Sequence, residues 1–219
     1  MHDPIQHPKP PVVDKDTARM ESFSDGVFSI ALTLLVLELT VPKVADHQTS
    51  AQLWAALRDQ WPSYFAFVTS FATVLIMWIN HHGIFRLIRR SDGTLQFANG
   101  FLLLIVTVVP FPTSLLAKYL LTPAAPVACV VYGGTYVFIS AGYTLLLMAA
   151  RRGGGHLLMP GSMDEVNHRF FSCMYVGFPL YLISAVAAWF SPALCLLICS
   201  GLWIFWVWVG ARGNKAFAS

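Results

Sequence analysis

Charge is scarce in this sequence. Asp, Glu, Lys and Arg supply 11% of its 219 residues, whereas hydrophobic residues supply 56% and the mean hydropathy is +0.61. That balance excludes an ordinary soluble domain, in which about a quarter of residues are charged. The short alternating segments of a membrane barrel are also missing. Apolar residues instead run on for about 20 at a time, the length that matches a hydrocarbon core about 30 Å thick. Six such runs occur, over 20–40, 62–85, 95–121, 127–150, 170–190 and 193–209. They predict an all-α integral membrane protein with six transmembrane helices, because a helix satisfies its backbone within one segment. The membrane domain is expected over 20–211, between an N-terminal arm (1–19) and a tail (212–219).

Further absences narrow the function. The four cysteines, Cys129, Cys173, Cys195 and Cys199, all fall in predicted spans, which excludes a secreted-style disulfide framework. Cys195 and Cys199 share a helix face, but with no His or acid nearby they read as small packing residues. The start is polar and Pro-rich and lacks a small-residue cleavage site, so a flexible arm that stays attached is expected. Gly153 to His156, "GGGH", lacks the Lys and Ser/Thr of a phosphate loop and reads as a flexible cytosolic turn. No nucleophile, base or metal set assembles at sensible spacing, so neither an enzyme nor a resident cofactor is expected. The "AQLWAALRDQW" stretch reads as a short interfacial helix, with Trp54 and Trp61 at the headgroups.

The basic residues orient the bundle. All of them except Lys43, Arg58 and Lys118 fall in the arm, the second and fourth connections and the tail. By the positive-inside bias both termini face the cytosol, so the net charge of +3 reflects topology and not nucleic-acid binding. A multi-pass protein of the plasma membrane is expected.

Ionisable groups within the spans are few: Glu21, Asp25 and Glu38 in the first helix, His81 and His82 in the second. Asp25 and His81 each lie about five residues from the cytosolic end of their helix, roughly 7–8 Å deep, so they share a layer with Ser24 and Asn99. Two readings stand: a structural clamp between three helices, or an Asp–His proton relay. His81 and His82 point about 100° apart, so only one can face this layer and a shared metal is not expected.

On a helical wheel centred on Ile30, the residues Phe23, Gly26, Thr33, Leu34, Leu37 and Val41 fall within about 60°, while Asp25 sits about 140° away. A carboxylate turned into the bundle and an apolar stripe turned away imply that the first helix is contacted on both sides. A lipid-facing or core stripe is the alternative. Leu32, about 160° from Ile30, is expected on the lipid side.

"RMESFSD" carries an Arg-x-x-x-Phe-Ser-Asp signature at the start of the first helix. With "WINHHGIFRLIRR" ending the second helix and "NGFLLLIVTVVPFPTSLL" in the third, the sequence resembles the transmembrane protein 175 family of endosomal, lysosomal and prokaryotic potassium channels. The similarity covers about the first 118 residues, and beyond them only helix number and hydropathy agree.

The resemblance implies a potassium-selective channel without the reentrant selectivity-filter loop of other potassium channels, and no "TVGYG"-like segment occurs. It further implies a homotetramer in the lipid bilayer, conducting monovalent cations, with helix one of each subunit lining the pore. The hydrophobic constriction, acting as gate and filter, carries over to Ile30, with Leu34 and Leu37 one and two turns outward. Thr33 offers hydroxyls on the same face. Arg19, Phe23, Ser24, Asp25, Trp78, His81, His82 and Asn99 become a signature network that packs the helices, although the wheel leaves Phe23 near the stripe. Glu38 is either an outer-mouth acid that concentrates cations or a solvated interfacial charge. A secondary transporter or a proton-conducting channel using the Asp/His relay is the alternative. Against a transporter, only helix three carries a strong break, Pro110 and Pro112, with no partner in a second half.

Overall fold

The computed structural model describes residues 13–42 and 49–215. The arm before residue 13, Lys43, the tail from 216 and the side chains from 212 onward lie outside that description. Six stretches are long and apolar enough to cross a membrane: Lys15–Glu38, Trp61–Phe85, Gly93–Tyr119, Ala125–Gly155, Met163–Ala187 and Pro192–Ala211. They are built from α1 (Lys15–Leu34) with a 3₁₀ turn (Leu35–Glu38), α3 (Trp61–Phe85), α4 (Gly93–Val108), α5 (Pro110–Tyr119), α6 (Ala125–Gly155), α7 (Met163–Phe171), α8 (Phe178–Ala187) and α9 (Pro192–Lys215). The short α2 (Ser50–Asp59) precedes α3 and opens on a capping box between Thr49 and Gln52. No strand occurs among the described residues. One isolated bridge pairs Ile88 with Leu158.

Two spans begin a turn or more earlier than hydropathy suggests, and in both the extra turns are polar. Helix α1 starts at Lys15 and not at 20, because Asp14 N–H bonds the Arg89 carbonyl at 2.9 Å and Thr17 is buried. The end of the expected arm is therefore helical. Likewise α7 supplies an amphipathic turn ahead of the apolar run expected from 170. Its Arg169 is buried, and Nε donates to Glu165 Oε1 at 2.7 Å. At the far end, α9 continues through Lys215, past the expected tail boundary.

Proline shapes the third and fifth spans. Pro110 has no N–H, and the α4–α5 junction turns on a shorter bond from Val109 N–H to the Val106 carbonyl. Pro179 cannot donate to the carbonyl four residues back, and just before it the chain takes a π turn (Ser172–Gly177) in which Phe178 N–H reaches the Cys173 carbonyl. Gly177 lies in this turn, where a Cβ would come within 2.6 Å of the Trp206 ring.

Helix α6 is the central post, packed against α4, α5, α7, α8 and α9. Its backbone leaves helical geometry at Arg152 to Gly154, where Gly153 and Gly154 take φ of 56° and 73°. The turn that follows interlocks with the α3–α4 connection: Arg89 N–H bonds the Leu157 carbonyl and Met159 N–H bonds the Leu87 carbonyl, each at 2.8 Å. The fully buried core includes Phe28, Leu35, Val74, Leu102, Leu116, Tyr132 and Leu146.

Candidate functional site

Helix α1 has two unlike faces. Thr17, Ser24, Phe28 and Ala31 are buried against the bundle, and Leu35 extends that face into the 3₁₀ turn. The opposite face carries Phe23, Gly26, Ile30, Thr33, Leu34, Leu37 and Val41, all left exposed by their own chain, Ile30 to 60%. These are the stripe residues of the wheel, and an apolar face of this length on a span needs lipid or another chain against it. Thr33 Oγ1 donates back to the Ile30 carbonyl at 2.9 Å, which leaves its oxygen free to accept on the same face. Leu32 does not face lipid as the wheel suggested. It is half-buried against the core, because α3 packs on the side of α1 that also carries Asp25.

The buried face is pinned by three sets of polar contacts. Asn99 Nδ2 on α4 donates to Ser24 Oγ at 2.9 Å, and Ser24 Oγ donates to the Met20 carbonyl. Asn99 Oδ1 is then the acceptor for His81 Nε2, also at 2.9 Å. In this arrangement the His81 proton sits on Nε2, while Nδ1 is buried without a partner. The imidazole lies between Phe28 and Phe85, with ring centroids 5.2 and 4.5 Å away. Beside it, Trp78 Nε1 donates to Asp25 Oδ1 at 2.8 Å. At the end of the helix, Glu21 Oε1 lies 3.0 Å from His82 Nδ1, and His82 stacks on Trp78.

The adjacent histidines thus diverge as helical geometry requires, His81 into the core and His82 to the exposed rim. Neither is the hydrogen-bond partner of Asp25, whose donor is Trp78. The direct Asp–His bond that a relay would use is not formed. Sequence reasoning placed Ser24, Asn99 and His81 in one layer but did not pair Glu21 with His82. Their common depth, at matching ends of two neighbouring helices, was the available signal. Arg19 is exposed on the first turns of α1, and Glu38 is half-buried in the 3₁₀ turn. Among the described residues no group of three or more His, Cys, Asp or Glu is arranged to hold a metal.

Comparison with known proteins gives the family. Residues 19–110, which carry the whole polar layer and the stripe, match the family model of the endosomal/lysosomal potassium channel TMEM175. A potassium channel of Chamaesiphon minutus is 42% identical over 188 residues, covering 84% of this chain and 91% of that protein. The crystal structure of a lysosomal potassium-selective channel TMEM175 homolog from the same organism superposes with a TM-score of 0.78. It is 40% identical and covers 92% of this chain and 100% of that one. The endosomal/lysosomal proton channel TMEM175 of Rattus norvegicus is 30% identical over 190 residues, 82% of this chain but 36% of the rat protein. With its six candidate membrane spans and 42% identity over 84% of its length to a potassium channel of the family, the chain belongs to the TMEM175 family, a family of ion channels and not of enzymes.

Proposed function

We propose that the chain is a potassium channel of the plasma membrane, a homotetramer with four copies of α1 around a central axis and the exposed stripe as pore wall. The observation that carries this reading is the split character of α1: one face is tied to α3 and α4, and the other is uncovered from Phe23 to Val41. A pore helix needs both. On this reading Ile30 forms the narrowest ring, with Leu34 and Leu37 widening outward. Thr33 supplies hydroxyls that offset partial dehydration of the ion, in place of a reentrant filter loop. Glu38, at the far end of α1 from the signature layer, raises cation concentration at the outer mouth. Of the signature residues, Ser24, Asp25, Trp78, His81, His82 and Asn99 hold the helix in register, while Arg19 and Phe23 are left exposed by their own chain. Both termini are cytosolic, no cofactor takes part, and the only small partners are the permeant monovalent cations.

The names of the prokaryotic relatives support potassium as the ion. The animal relative is named a proton channel, which keeps proton conduction as the second reading. A proton route through the subunit would have to cross from Asp25 to His81 without a direct bond, so on this geometry protons would share the central path. Reconstitution into liposomes tests the proposal. A passive flux whose reversal follows the potassium Nernst potential is the expected result. Flux locked to a counter-ion, or a chain that is monomeric in membranes, overturns it.

A further inference from the structure

We propose that Cys195 and Cys199, with Ser184 between them, form a binding site for a soft, two-coordinate d¹⁰ cation of the Hg(II) class. The site lies in the bundle formed by α6, α8 and α9, at the end opposite the interlocked arginine connections, and is separate from α1. Ser184 Oγ is within 3.2 Å of Cys195 Sγ and 3.1 Å of Cys199 Sγ. The two thiols occupy positions i and i+4 of α9, one above the other on a single helix face. Both sulfurs therefore converge on one oxygen, so a single ion can reach both. Cys129 of α6 adds a third thiol next to Cys195, and its carbonyl accepts the Cys195 S–H at 3.5 Å. All four residues are buried. A Cβ on Gly133 would lie 3.3 Å from Cys195 Sγ, so the bare α6 backbone at that turn is what makes room for the sulfur.

The ligand class follows from the donors. Sulfur ligands select soft cations, and a structural zinc site wants four ligands, usually including imidazole or several thiolates in a tetrahedron. No imidazole or carboxylate joins this cluster. A linear ion needs only two sulfurs. Charge points the same way, because a net charge in a low-dielectric interior is costly. Binding from mercuric chloride breaks two S–H and two Hg–Cl bonds, forms two S–Hg bonds, and releases two protons and two chloride ions to water, which leaves a neutral complex. Ser184 O–H can then donate to either thiolate, a stronger bond than it makes to a thiol. Mercuric chloride is itself neutral and enters lipid, so burial of the thiols does not bar access.

Titration of the reconstituted chain with mercuric chloride, against excess of a simple monothiol, tests the site. The expected result is one ion held per chain, with the ultraviolet absorption of a bis-thiolate. In the wild-type chain the slow maleimide labelling of the buried thiols, read by mass spectrometry with and without mercury, should be suppressed by the ion at Cys195 and Cys199 and unchanged at Cys173. Cys173→Ser should bind like the wild type. In a Cys129→Ser background, which removes the thiol that could replace either ligand, Cys195→Ser and Cys199→Ser should each hold the ion about a hundredfold more weakly, the loss expected when the second of two linked ligands is removed. Retention by Cys199→Ser in the Cys129→Ser background, loss in Cys173→Ser, or suppression by mercury that is equal at all four cysteines overturns the proposal. The labelling result decides it even if a variant fails to fold.

Discussion

Trp78 Nε1 donates a 2.8 Å hydrogen bond to Asp25 Oδ1 across the contact between α1 and α3. The bond explains how a carboxylate is carried inside a span, since a charge there is tolerated when donors replace its water. It also fixes the rotation of α1. With Asp25 held against α3, Ile30 must point the other way, away from its own chain.

Trp78→Phe keeps most of the ring and removes the donor. It should destabilise the protein by about 1.5–3 kcal/mol, the range for a hydrogen bond to a charged group. Asp25→Ala should disturb folding or assembly more than ion selectivity. Thermal melts monitored by size-exclusion chromatography measure both. A Trp78→Phe melt that coincides with the wild type would show that the bond contributes nothing.

The polar layer and the stripe could be read in the sequence because both rest on periodicity. Ser24, Asn99 and His81 share a depth at about 1.5 Å per residue, and the stripe repeats near every 3.6 positions. Span ends were harder to read. Lys15 and Met163 start helices whose first turns are polar, and hydropathy cannot register a turn held by a backbone bond to Arg89 or by the pairing of buried Arg169 with half-buried Glu165. The side taken by Leu32 also escaped the wheel, which gives angles between residues but not the direction from which a neighbouring helix approaches. The thiol cluster depends on which helices meet, and no spacing within one helix could have joined Cys129 and Ser184 to α9.

Gly177 gives a prediction for the π turn. Its hydrogen is all that separates α8 from the Trp206 ring, and Ser140 Oγ stands 3.0 Å from where a Cβ would be. Gly177→Ala should cost about 1–3 kcal/mol as overpacking, by pushing α9 outward or unwinding the turn. Gly134→Ala is the matched control, since nothing lies within 4 Å of a Cβ there. If the two variants melt alike, the close contact with Trp206 is not a constraint.

The placement of arginines predicts a topology. The interlocked connections carry Arg86, Arg89, Arg90, Arg151 and Arg152, and this end of the bundle should be cytosolic, with the turn before Pro192 outside. In a background with the four native cysteines replaced, a cysteine introduced at Gly154 should resist an impermeant reagent added to whole cells. One introduced at Pro192 should react. The reverse pattern would invert the molecule and move Glu38 to the cytosolic mouth.

Ile30 tests the pore directly. It is exposed in the chain on the same face as Leu34 and Leu37, and if four copies meet on an axis they form a dry neck, because an ion there has no ligand to replace its hydration shell. Ile30→Asn should wet the neck, so potassium conductance should rise and discrimination against sodium should fall. Leu34→Ala should act in the same direction but more weakly, one turn outward where the passage is wider. Leu32 is unsuitable as the neutral control, since its partial burial against the core makes truncation a packing defect. Ile204 serves instead: it is 78% exposed on α9, which packs on α3, α6 and α8, and Ile204→Ala should leave conduction unchanged. Bilayer recordings of the three variants, matched for tetramer content, give the comparison. If Ile30→Asn leaves conductance and selectivity as they were while Ile204→Ala alters them, the conducting face is not the stripe of α1.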